Sequence, residues 1–279
     1  MGRFDNKVVF VTGAARAQGR SHAVRFAAEG ADIIGVDMCH DLDTVTYSLA
    51  RENDLAETVR QVEALDRRMV AQRVDVRDFG ELAEAAATGV GELGRLDVIL
   101  PNAGIVASGP TWEMPIEKWH DVVDINLTGV FHTIRATVPH MIGAGNGGNI
   151  VFTGSLAAMR GIANAGAYVA AKHGVMGLMR TLANELAAHS IRVNAVNPTN
   201  VATDMLHNAT NYKLFVPEEA DPSLEDALDR FMTLNLMPVP WIEAQDISNA
   251  MMWLCSDEAR FVTGSMLPVD AGGYVKTIH

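Results

Sequence analysis

Seven short runs of β-branched and apolar residues, KVVFV, DIIGVD, MVAQRVD, LDVILP, NIVFTG, IRVNAVNP and SMLPVD, recur along the chain between long stretches rich in Ala, Leu and Glu. Runs that are apolar throughout, instead of alternating, suit strands buried on both faces, and the helical stretches between them supply the covering layers. The rhythm predicts one α/β domain over residues 1–279, a doubly wound parallel sheet of about seven strands with helices on both faces. Two segments interrupt it. Between Asp37 and Asp75 the chain is longer than one crossover helix needs, so residues 38–53 read as an insertion before the helix LAETVRQVEALDRR. Residues 203–241 mix polar turns with Met205, Leu206, Phe215, Phe231, Met232, Leu236, Met237 and Trp241, the pattern of a substrate lid.

With 48% hydrophobic residues the chain can fill such a core, and a net charge of −12 without any basic run excludes nucleic acid and anionic membrane as expected partners. Small molecules are the expected ligands. Cys39 and Cys255 are the two cysteines, too few for a disulfide framework and consistent with the cytoplasm. The nine histidines show no metal-ligand spacing, so no metal is expected. No stretch has the length of a membrane span.

VVFVTGAARAQGR, Val8 to Arg20, reads as a strand running into a phosphate-binding turn at a helix N-terminus. Gly13 and Gly19 allow close backbone approach, Arg16 and Gln18 lie in the turn, and Ala17 stands where this spacing calls for a third glycine. Its methyl group costs about 1 kcal/mol if φ is positive there, which does not abolish the site. Asp37 ends the second run and is followed by Met38; a carboxylate so placed accepts hydrogen bonds from an adenosine ribose and repels a 2′-phosphate, favouring NAD. Arg16 points the other way, since a guanidinium could pair with that phosphate. Downstream come Asn102-Ala103-Gly104, Asn126, Ser155, and Tyr168 with Lys172 four residues on, one face of an expected helix.

Taken together, TGxxxAxG, Asp37, Asp75-Val76, NAG, Asn126, Ser155, Tyr168-x-x-x-Lys172, Asn197-Pro198 with Thr203 following, and PVDAGG resemble the short-chain dehydrogenase/reductase family over nearly the whole chain. The loop TGAARAQGRSHAVRFAAEGADIIGVD, the long segment after Asp37 and LAETVRQVEALDRR are similar to its carveol-dehydrogenase-like subfamily. The resemblance implies a Rossmann-type fold and an NAD-dependent oxidoreductase moving hydride between nicotinamide and a secondary alcohol or ketone. It also implies a tightly held NAD, a mycofactocin-like external redox partner and a homotetramer built through the segments around Lys118 to Met141 and Gly166 to Ala188.

By the same resemblance Tyr168 is the acid/base, Ser155 binds the substrate oxygen, Asn126 positions Lys172, and Lys172 lowers the phenol's pKa by about 2 to 3 units, about 3 to 4 kcal/mol. Gly13, Arg16, Ala17, Gln18, Gly19, Asp37, Met38, Asp75, Val76, Asn102, Ala103, Gly104, Tyr168, Lys172, Pro198, Val201 and Thr203 are the expected cofactor contacts, with Asp75 and Val76 at adenine. Thr199 replaces the glycine of the family's PG motif. The apolar residues of 203–241 suit a terpenoid- or steroid-like substrate, and with Lys213 and Arg230 the only Lys or Arg there, a strongly anionic one is disfavoured. The alternatives are an NAD(P)H-dependent carbonyl reductase and a catalytically idle NAD-binding sensor; the sensor has no need of a proton relay.

Overall fold

The structure is a computed structural model that describes residues 2–277. The described residues form one parallel seven-stranded sheet in the order β3-β2-β1-β4-β5-β6-β7. The strands are β1 (Val8–Thr12), β2 (Asp32–Asp37), β3 (Met69–Arg73), β4 (Val98–Leu100), β5 (Gly148–Thr153), β6 (Ile191–Pro198) and β7 (Met266–Val269). Strand order reverses between β1 and β4, where Val9 pairs with Ile33 on one side and with Val98 on the other. Chains leaving neighbouring strand ends there diverge, opening the crevice in which sheets of this type bind ligands.

Alternate residues along each strand enter opposite layers. Phe10, Ile34, Ile99 and Phe152 pack under α3 (Phe79–Leu93), α5 (Gly129–Ala144) and α6 (Gly166–Leu186). Val9, Val11, Ile33, Leu100 and Val151 pack under α1 (Ala17–Ala28), α2 (Glu52–Glu63) and α9 (Ala244–Cys255). Two-sided burial is why these strands are apolar at nearly every position. The crossover from β4 carries α4 (Ile116–Val123), joined to α5 by a π-helical turn at Asp124–Thr128, so Asn126 lies at an irregular turn of an otherwise helical run.

The expected insertion is two residues shorter than 38–53, because Arg51 N donates to the Asp54 carboxylate (2.8 Å) and starts α2 at Glu52. α2 also ends at Glu63, five residues before the expected helix does, and Asp66 takes a φ of +56° in the turn toward β3. Residues 203–241 fold around α7 (Ala209–Phe215) and α8 (Leu224–Met232), the latter started by a Ser223/Asp226 capping box. Leu206, Val216, Ala227 and Phe231 form a small core of their own, with Tyr212, Phe215 and Trp241 against it. Phe231 and Trp241 therefore hold the lid together and do not line the substrate cavity as expected, while Leu236 and Met237 face solvent.

Candidate active site

β1 ends at Thr12, whose hydroxyl accepts from the amides of Asn102 (2.9 Å) and Ala103 (3.0 Å), tying the end of β1 to the loop after β4. Gly13 has φ +67°, and a Cβ on Gly19 would lie 1.8 Å from the Gly13 carbonyl oxygen. Both positions are closed to side chains, which leaves the start of α1 open to a ligand's phosphates. Ala17 has φ +50°, the conformation for which the third glycine is suited. Ala17→Gly is therefore expected to raise stability by about 0.5–1 kcal/mol, the relief of left-handed strain less the greater unfolded-state freedom of glycine, read as a rise in Tm.

Asp37 is largely buried, and burial pushes its carboxyl above the usual range, opposed by the amides of Ala15 and Cys39 (3.1 Å each) and by Arg16. Arg16 itself is committed elsewhere: one guanidinium nitrogen donates to Asp204 in the lid segment (2.7 Å) and another to the Ser48 carbonyl in the insertion (2.5 Å). It spans the mouth of a cleft whose walls bring together Gly13, Ala17, Gln18, Gly19, Asp37, Met38, Val76, Asn102, Ala103, Gly104 and Thr203. Tyr47, Leu49 and Ala50 of the insertion close its other side. The Tyr47 hydroxyl accepts from Val106 N (3.2 Å), and burial pushes its phenol up to about 12.

Asp75 does not line this cleft; Val74 does in its place. Burial works to raise the Asp75 pKa, but the Arg77 guanidinium and amide hold it below the usual range, and Arg77 also bonds Asp121 (2.6 Å). The Asp75 carboxylate is thus engaged by a residue two positions away.

Ser155 follows β5 and opens a short 3₁₀ turn. Its amide donates to Asn197 Oδ1 (3.2 Å), and its hydroxyl oxygen accepts from Ala157 N (3.1 Å), leaving the hydroxyl hydrogen for another acceptor. Tyr168 and Lys172 lie one turn apart on α6. Lys172 Nζ donates to the Thr153 carbonyl (2.7 Å) and stands 5.6 Å from the centre of the Tyr168 ring. Burial pushes Lys172 down to about 8 and pushes the Tyr168 phenol up, with Ser155 alone drawing the phenol back. Burial thus dominates at the phenol, with the Ser155 hydrogen bond working against it. Asn126 is fully buried; its amide nitrogen donates to the carbonyls of Ile105 (2.9 Å) and Val122 (2.8 Å), while no donor among the described residues reaches its Oδ1. A Cβ on Gly104 would sit 2.6 Å from that oxygen, so glycine is required there.

Asn126, Ser155, Tyr168, Lys172, Pro198, Val201 and Thr203 all line a second cavity of about 890 Å³. Gln18, Asn102, Gly104, Thr203 and Met205 belong to the walls of both, so the glycine-loop cleft runs into the chamber that holds Tyr168. Met205, Leu206 and Phe215 reach this chamber from the lid, as expected. The Thr199 hydroxyl, where the family motif has glycine, donates to Asn235 Oδ1 (2.7 Å) and ties β6 to the lid. Of the expected lid cations, Lys213 donates to the Pro217 carbonyl and Arg230 pairs with Glu218 (2.6 Å), and neither lines the chamber. Arg160 and Lys276 do, from outside the lid, and nothing in their local sequence marks them.

The model of the short chain dehydrogenase family matches residues 7–213. The (-)-trans-carveol dehydrogenase of Rhodococcus erythropolis is 45% identical over 278 residues, covering 99% of this chain and 100% of that protein. The crystal structure of carveol dehydrogenase from Mycobacterium avium in complex with NAD is 50% identical, with a TM-score of 0.97 over 99% of this chain and 100% of that one. A short chain dehydrogenase from Mycobacterium paratuberculosis, bound to NAD, matches at 43% identity and TM-score 0.91, covering 99% of this chain and 100% of that one. The fold agrees with that of these solved relatives, and the chain belongs to the short-chain dehydrogenase/reductase family.

Proposed function

We propose that this chain oxidises apolar secondary alcohols, terpenoid- or steroid-like in size and carveol among them, with NAD, and runs the reverse reduction at the same site. The observation that carries the reading is the continuity of the two cavities, which puts Tyr168, Ser155 and Lys172 where a dinucleotide lying on the glycine loop would end. Gly13, Gly19 and the start of α1 would hold the pyrophosphate, Asp37 the adenosine ribose, Lys172 the nicotinamide ribose, and Thr203 the carboxamide end. Bound NAD supplies the hydride acceptor. Ser155 donates its hydroxyl hydrogen to the substrate oxygen, and Tyr168, ionised to the phenolate, takes the alcohol proton at its oxygen. Lys172, a buried cation, favours the phenolate as it forms. Asn126 braces the loop after β4 against α4 and so fixes the wall facing Lys172.

The direct test is mass spectrometry of nucleotide released from purified protein, followed by oxidation of an alcohol panel including carveol with an artificial electron acceptor. Protein that releases no nucleotide, binds none and oxidises none of the alcohols would sink the reading. Asp37 sets the choice of dinucleotide, because a 2′-phosphate would meet a desolvated carboxylate while Arg16 is held by Asp204 and Ser48. Titration calorimetry is expected to give NAD at least about tenfold tighter binding than NADP, one like-charge contact at about 1.4 kcal/mol; tighter NADP would mean that Arg16 swings back to the phosphate.

The insertion suits a resident NAD, regenerated in place by an external redox partner of the mycofactocin type. Two buried free thiols suit the reducing cytoplasm, and among the described residues no helix is long and apolar enough to cross a membrane. Trp119 on α4 and Phe131 on α5 are exposed apolar side chains that an assembly would cover. Light scattering at micromolar concentration is expected to give a tetramer, four times the 30.0 kDa chain mass; a monomer would contradict this.

A further inference from the structure

Arg160 and Lys276 are unusual in their setting. The chain carries a net charge of −12, yet among the described residues no Asp or Glu lines the large chamber, whose walls hold three cationic side chains: Lys172, Arg160 and Lys276. Lys172 is accounted for by the chemistry. The other two come from segments far apart in sequence, the loop after Ser155 and the chain following β7, and the fold goes to some length to aim them.

Asp270 organises that second segment. Its carboxylate is buried and turned into its own turn, accepting from Gly272 N (3.0 Å) and Tyr274 N (2.7 Å). The turn presents the Gly273 carbonyl, which takes one N–H of Arg160 (2.9 Å), and leads to Lys276, whose Nζ donates to the Asn235 carbonyl at the lid's end (2.7 Å). Both partners are neutral carbonyls. Among the described residues neither cation forms an ion pair. A guanidinium has about five N–H donors and an ammonium about three, so most remain for a ligand. Two half-buried cations on a largely apolar wall with no counter-charge are costly unless an anion joins them.

Resting on the dehydrogenase reading above, we infer that the substrate is amphipathic: a secondary alcohol at Tyr168 on an apolar body, with a carboxylate bound by Arg160 and Lys276. The two cations are specificity determinants and take no part in proton or hydride transfer. This reverses the expectation drawn from the lid's own composition, since the recognising charges lie outside residues 203–241.

The test compares kcat/KM for a monocyclic and a steroidal hydroxy acid, each with its methyl ester, alongside carveol, in wild type, Arg160→Gln, Lys276→Gln and Arg160→Lys. For at least one pair the wild type is expected to favour the acid about tenfold or more, in line with a charge-assisted hydrogen bond, and each Gln variant to lower the acid-to-ester ratio about tenfold. Arg160→Lys is expected to keep most of it. The ratio divides out any general loss of folding or activity, and Gln can still donate to the Gly273 carbonyl. If the wild type shows no preference for either acid, or if the preference survives both Gln variants, the inference is wrong. Carveol turnover without acid preference defeats it alone, whereas failure to oxidise any compound defeats the dehydrogenase reading as well.

Discussion

Tyr168→Phe is expected to lower kcat by at least about a hundredfold, the low end of a general acid/base contribution, while the protein still folds and binds NAD. The ring stays useful without its oxygen, because Tyr168 packs against the cluster of Val76, Ile105, Val122, Ile125 and Ala167, which phenylalanine fills equally. The lost oxygen is the one that Ser155 draws toward ionisation against the effect of burial. In the wild type, alcohol oxidation should therefore rise with pH as the phenol gives up its proton, and the variant should lose that slope. Steady-state rates across pH, with calorimetry for NAD, separate the two functions. Unchanged turnover in the variant would remove Tyr168 from the chemistry.

Replacing residues 39–50 with a short linker is expected to speed NAD release about a hundredfold. Tyr47, Leu49 and Ala50 form one side of the cleft, and Arg16 joins that side to the lid segment through Ser48 and Asp204. Each 1.4 kcal/mol of lost contact raises the dissociation rate about tenfold where association is unchanged, and three side chains with an ordered segment supply about two such increments. Arg16→Gln alone should change release far less, since its partner Asp204 is largely exposed and a solvated ion pair contributes about 0–1 kcal/mol. β2 and β3 keep their pairing from Ile33 to Asp37, so the shortened crossover should leave the sheet intact. Nucleotide retained through purification, then chased with labelled NAD, gives the rates. An intact protein that emerges empty, or equal release from both proteins, would overturn the clasp.

Sequence legibility followed the range of the interactions. β2 and β6 coincide with DIIGVD and IRVNAVNP because a strand buried on both faces is declared by its own residues. Gly13 and Gly19 answer a local demand, a backbone that excludes Cβ, and Tyr168 and Lys172 share a helical spacing of four, whereas Ser155 stands out only through the family resemblance. Tyr47 and Leu49 carry no such mark; they face the cleft only because the insertion folds back across it. Arg16 and Asp37 suit opposite forms of the same ligand, yet the partners of Arg16, Ser48 and Asp204, lie on segments whose meeting is a tertiary event. The Asp75–Arg77 ion pair is a further contact that a motif match does not weigh. Arg160 and Lys276 converge from 116 positions apart, with Gly273 and Asn235 as their anchors.

The buried lysine on α6 has a thermodynamic side. In the folded chain Lys172 titrates near about 8 against an ordinary 10.5, so folding sheds a proton between those values and stability falls as pH drops through that window. Below about pH 8 the loss is complete, roughly 3 kcal/mol by the size of the displacement. An apolar side chain of similar length would make the empty fold sturdier near neutrality. On the proposed mechanism an anionic transition state would give the same ammonium a partner, so the group that weakens the resting protein would be the one that favours ionisation of Tyr168 during turnover.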